Sequence, residues 1–148
     1  MSETISVVSE LDLPYGIDTV WPYLSDFPTA PKYVPGVGPI TITGSGIGMV
    51  RRVPFEASWT DEKLAVMDHE NHHFAYTVSA WSDDVDFLDY RSDVQLIPLS
   101  ANSCRYRREG RFTVKPGVSV QSVCATLDRA YRISMNSFAE IMRARMQK

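Results

Sequence analysis

Histidine and cysteine are scarce in this chain, which leaves little material for metal chemistry. Its 148 residues include three histidines and two cysteines. Cys104 and Cys124 lack metal-ligand spacing, and two thiols in a chain without a secretion signal read as packing residues rather than a disulfide. Positive charge is not in excess either. A net charge of -3 and a pI near 5.6 argue against nucleic acid as a partner. No window reaches the roughly 18 apolar residues of a transmembrane helix, so integral membrane association is not expected. The first ten residues, MSETISVVSE, have neither a basic start nor an apolar signal core, and a cytoplasmic location is expected. Repeats and linker-like stretches are also missing, which predicts one domain over residues 1–148.

All three histidines fall within DHENHHFAY, Asp68 to Tyr76, and residues 69–73 match the H-E-x-x-H pattern of zinc peptidases. That chemistry needs a helix, because two histidines four apart must share one face to reach one zinc. The flanks alternate with period two instead. Glu62, Leu64 and Val66 oppose Asp61, Lys63 and Ala65, and Phe74, Tyr76 and Val78 oppose Ala75, Thr77 and Ser79. The segment is therefore expected to be a hairpin. Pairing Val66 with Tyr76 predicts a three-residue loop, Glu70 to His72, with His69 and His73 facing each other on the outer side. Solvated histidines, or an adventitious surface site, are expected; no metal or other cofactor is predicted.

Elsewhere the pattern is regular. TISVVSELDL alternates as a first strand, with Ile5, Val7 and Leu11 opposing Ser6, Glu10 and Asp12. GIDTVWPYLSDF carries Val20, Leu24 and Phe27 at helical spacing, capped by Asp18 or Thr19, with Pro22 in the first turn. PTAPKYVPG reads as a proline-broken short helix or turn. PITIT and MVRRVPF are strands joined by the glycine-rich GSGIG, a strand connection rather than a phosphate loop because no helix follows. DFLDYRSDVQLIPL and SCRYRREGRFTVK are two long strands, with the basic run Arg105 to Arg111 on an exposed face. After Pro116–Gly117, residues Val120, Val123, Leu127, Tyr131, Met135, Phe138, Met142 and Met146 mark an amphipathic helix of about 25 residues. The order predicts an α+β architecture, in which a curved antiparallel sheet of about seven strands grips a long C-terminal helix. Two short helices follow strand 1.

That order, with VWPYLSDF on the first helix, GSGIGMVRR into the third strand, TDEKLAVMD and YRSDVQLIP, resembles the START-like (SRPBCC) superfamily. Pollen allergens, abscisic-acid receptors, lipid-transfer domains and polyketide cyclase/dehydrase proteins belong to it. The resemblance implies the helix-grip fold and an apolar cavity between sheet and terminal helix. One departure is the short FEASWT segment, where the family often has a longer loop at the cavity mouth.

Strand sidedness nominates the polar residues of such a cavity. Arg51 lies with Met49, Val53 and Phe55; Glu62 with Leu64 and Val66; Tyr76 with Phe74 and Val78. Tyr90 and Ser92 lie with Leu88, Val94 and Leu96, and Arg108 with Tyr106, Phe112 and Val114. The resemblance to hormone-binding members instead favours Glu109, and a bulge near Gly110 would reconcile the two. Tyr131, Met135 and Phe138 supply the helical wall. Arg51 and Glu62, on adjacent strands, are candidates for an ion pair. Three functions fit. A binding module would carry or sense a hydrophobic small molecule such as a lipid, polyketide, terpenoid or quinone. A cyclase or dehydratase would use Glu62 or Glu109 as base and Arg51 or Tyr90 as enolate stabiliser. A partner-binding domain would have its cavity filled by side chains. The protein is expected to be a monomer or homodimer.

Overall fold

The computed structural model describes residues 3–147. Its strands are β1 (Ile5–Leu13), β2 (Thr41–Thr43), β3 (Val50–Pro54), β4 (Trp59–Asp68), β5 (His73–Trp81), β6 (Phe87–Ser100) and β7 (Ser103–Val114). Helix α1 (Ile17–Leu24) and a 3₁₀ turn (Ala30–Tyr33) follow β1, and α2 (Val120–Met146) closes the chain. The strands form one seven-stranded sheet in the order β1-β7-β6-β5-β4-β3-β2, with every pairing antiparallel. Helix α2 lies across its concave face, against β1, β7 and the 3₁₀ turn. This is the helix-grip fold.

Alternation places the core. On β7, Cys104, Tyr106, Gly110 and Phe112 are buried, and every odd-numbered residue between them is more exposed. β-bulges within β4, β5 and β6 bend the sheet and break the simple alternation. Ala65 is the extra residue of β4, Ser79 that of β5, and β6 bulges at Asp89, whose φ is 54°.

The bulges correct several expected facings. Past Ala65 the inward residue is Met67, and Val66 turns to the other face opposite Ala75. Past Asp89 the inward residues are Phe87 and Tyr90, whose rings touch, whereas Leu88 is 48% exposed. Because the Ala65 bulge shifts the register, the β4–β5 loop has four residues, His69 to His72, and Leu64 is the partner of Tyr76.

His69 and His73 consequently point to opposite faces. His69 Nδ1 accepts a hydrogen bond from the Trp21 indole at 3.1 Å, while His73 Nε2 bonds Asp93 at 2.8 Å. His72, at φ 52°, packs edge-on against Trp21. The histidines are thus tied to helix α1 and to β6 rather than merely solvated. Among the described residues no group of three His, Cys, Asp or Glu side chains is placed to hold a metal.

The first helix starts earlier than Asp18. Its N-cap is Gly16, whose carbonyl accepts from Thr19 and Val20. A Cβ at Gly16 would lie 2.5 Å from the Ala101 carbonyl oxygen, so only glycine fits there. Pro22 therefore falls in the second turn, on the exposed face, where water can take the carbonyl it leaves unbonded. Val20, Trp21 and Leu24 are buried on the other side.

Helix α2 has 27 residues, capped by Ser119, whose side chain accepts from the Ser122 amide at 3.2 Å. Its buried stripe is Val123, Tyr131, Ser134, Met135, Phe138 and Met142. Val120 and Met146, at the two ends, are exposed. Both cysteines are free thiols. No helix among the described residues is long and apolar enough to cross a membrane.

Candidate functional site

A cavity of about 180 Å³ lies between the concave face of the sheet and α2. Its walls come from β3 to β7, α2, the end of α1 and the 3₁₀ turn. The charged residues that line it are Arg51, Glu62 and Arg108. Two other depressions, of about 260 and 400 Å³, are more open to solvent. One lies between α2 and the β5–β6 loop, the other between the end of α1 and the GSGIG loop.

Arg51 and Glu62 are direct cross-strand partners on β3 and β4. Arg51 Nε donates to Glu62 Oε1 at 2.8 Å, with the side chains 4% and 14% exposed. Its Nη1 donates to the Phe27 carbonyl at 2.7 Å, and the guanidinium lies 3.8 Å from the centre of the Phe27 ring. Thr60 Oγ1 donates to the second Glu62 oxygen at 3.2 Å. The two charges therefore cancel, and they tie the segment after α1 to the sheet.

Arg108 is different. It projects inward from the middle of β7, enclosed by protein but keeping accessible surface on the cavity side. Nε donates to the Ser92 hydroxyl at 3.1 Å and Nη2 to the Tyr76 hydroxyl. The guanidinium centre stands 5.0 Å from the Tyr131 ring. Burial opposes its charge, yet the surrounding tyrosines Tyr76, Tyr106, Tyr90 and Tyr131 outweigh that, and its pKa is raised well above the ordinary arginine value. No carboxylate forms an ion pair with it among the described residues.

Tyr90 and Tyr131 share a hydrogen bond between their hydroxyls beneath Arg108. Burial pushes the Tyr131 phenol up to about 12 and raises Tyr90 well above its usual value, so both keep their protons at neutral pH. Gly110 makes this possible. A Cβ there would lie 1.9 Å from the Tyr131 hydroxyl oxygen and 3.3 Å from Tyr90.

Of the residues nominated from sequence, Arg51, Glu62, Tyr76, Arg108, Tyr131 and Phe138 line the cavity. Tyr90 and Ser92 stand behind that wall, bonded to Tyr131 and Arg108, and Met135 is packed in the core. Glu109 does not face the cavity. β7 runs without a bulge at Gly110, so Glu109 projects from the convex face, bonded to Ser6 at 2.6 Å and paired with Arg107 and Arg111. Ser134, Tyr33 and Tyr106 also line the cavity but were not nominated. Ser134 could have been found, lying three residues after Tyr131 and four before Phe138. Tyr106 shares the Arg108 face. Tyr33 sits in an aperiodic proline-rich turn that carries no such signal.

The family model described as polyketide cyclase/dehydrase and lipid transport matches residues 4–143. The chain belongs to that family. Its helix-grip fold is accordingly that of the START-like (SRPBCC) superfamily. An uncharacterised protein from Bacillus thuringiensis has the same fold with a TM-score of 0.83 at 16% identity, covering 93% of this chain and 98% of its own. Norcoclaurine synthase from Thalictrum flavum, solved with dopamine and hydroxybenzaldehyde, aligns with a TM-score of 0.79 at 17% identity, covering 97% and 88% of the two chains. The Zhui aromatase/cyclase from Streptomyces aligns with a TM-score of 0.79 at 15% identity, covering 97% and 96%. No curated protein matches the sequence.

Proposed function

We propose that this polyketide cyclase/dehydrase and lipid-transport family member binds a hydrophobic small molecule in the cavity between the sheet and α2, as a carrier or sensor. The carrying observation is a cavity of about 180 Å³ walled by apolar side chains such as Phe74, Val94 and Phe138, with Arg51, Glu62, Arg108 and several tyrosines among them. An engineered cavity of about 150 Å³ in another protein stays dry and takes benzene. By that measure the space suits one ring with small substituents, and a diacyl lipid would have to displace the helix. The single-ring molecules in the norcoclaurine synthase structure are of that size.

The test is equilibrium titration with toluene and with 4-hydroxybenzaldehyde. Binding should be saturable at one site and lost in Ser134→Phe, whose ring would occupy the cavity. Absence of binding, or unchanged binding to a folded Ser134→Phe, would overturn the proposal.

A second reading makes the same pocket an enzyme of the cyclase or dehydratase type, with Glu62 as base and Arg51 or Tyr90 as its partners. The position of Glu62 in the cavity wall favours it. Against it, both Glu62 oxygens are already committed, to Arg51 and Thr60. Glu62→Gln separates the two. Carrier chemistry predicts a destabilised protein, by about 1–3 kcal/mol for the disrupted ion-pair hydrogen bond, with affinity per folded molecule unchanged. Catalysis predicts lost turnover with binding intact.

A further inference from the structure

The cavity is walled by apolar side chains, yet its charges do not balance. Arg51 and Glu62 neutralise each other at 2.8 Å, which leaves Arg108 as a net positive charge on the wall. An internal cation without a counter-charge is costly, and arginine cannot escape the cost by losing its proton. Hydrogen bonds to Ser92 and Tyr76 and the ring of Tyr131 offset part of it. A guanidinium carries five N–H groups. Nε and one N–H of Nη2 are used, whereas Nη1 makes no hydrogen bond to a described residue. The groups left free are those of Nη1 and one N–H of Nη2, and neighbouring guanidinium N–H groups of this kind can bind the two oxygens of a carboxylate.

Resting on the reading that the cavity holds a small molecule, we propose that it selects an organic anion, a carboxylate carried on about one ring, and that Arg108 binds the charge. The apolar walls then take the ring, and Tyr76, held on Nη2, limits how the carboxylate can turn. Arg51 plays no part in this contact, since Glu62 and the Phe27 carbonyl already occupy it.

Three probes test this by calorimetric titration: benzoate, benzyl alcohol and toluene. Benzoate should bind roughly tenfold or more tightly than benzyl alcohol, the margin expected of a charge-assisted hydrogen bond. Arg108→Gln should remove that margin and keep toluene binding within about twofold. Arg108→Lys, which keeps the charge but loses the fork, should keep part of the margin and serves if the Gln variant fails to fold. Toluene binding with no preference for benzoate in the wild type, or a preference that survives in folded Arg108→Gln or is unaffected by Arg108→Lys, would overturn the role of Arg108 and leave the cavity reading intact. Binding of none of the three would overturn both.

Discussion

Gly110 and the Tyr90–Tyr131 pair form a single arrangement in which the absence of a side chain on β7 admits a hydroxyl from α2. Gly110→Ala should therefore destabilise the protein by about 1–3 kcal/mol, the cost of overpacking a filled core, as read by chemical denaturation. Tyr131→Phe removes the atom that would clash, so the double variant should lose less than the two single losses added. Nothing in the residue pattern marks Gly110 for this role, because the contact joins residues far apart in sequence. The same holds for His69. Its alternation predicts the outer side, but the bulge at Ala65 turns it toward Trp21. His69→Ala should cost about 1 kcal/mol for the lost indole hydrogen bond, measured by thermal denaturation, and no stoichiometric zinc should accompany the purified protein.

Among the elements, α2 is tied to β1 through Asp128. Ser9, fully buried on β1, donates to Asp128 at 2.7 Å, and Arg132 donates to the same carboxylate. Ser9 and then Arg132 hold the Asp128 pKa below the usual carboxylate value. A depressed folded pKa stabilises the fold fully above the unfolded value, near pH 4, and the contribution is lost as pH falls through the folded value. Asp128→Asn should therefore be less stable than the wild type at neutral pH and converge with it in acid. Thermal denaturation between about pH 3 and pH 7 checks this. The helix itself is indispensable. Met135, Phe138 and Met142 are almost fully buried, each contributing about 1.5–3 kcal/mol, against a typical net stability of about 5–15 kcal/mol. Truncation before Leu127 should leave an insoluble chain, and a soluble folded monomer would contradict that. These elements were legible because period-two and period-3.6 patterns survive in single sequences. The first helix is capped at Gly16, two or three residues before the expected Asp18 or Thr19, because its start is set by Gly16 packing against Ala101, a tertiary contact.

At the scale of the molecule, the sheet and α2 could be inferred from element order, and so could the inward sides of β3, β5 and β7. What could not be read was which inward polar residue is spent on structure. Arg51 and Glu62 could be nominated as a pair from their adjacent strands, but the alternation of β7 does not show that Arg108 faces the cavity without a carboxylate. The account stands on that cavity being the place where a ligand binds. The most direct measurement is a backbone amide NMR titration of the wild-type protein with 4-hydroxybenzaldehyde. Saturable shifts are expected at Arg108, Tyr131 and Ser134, on the two walls of the cavity. Shifts confined instead to Ile47, Met67 and His69, in the outer groove beside α1, would contradict it.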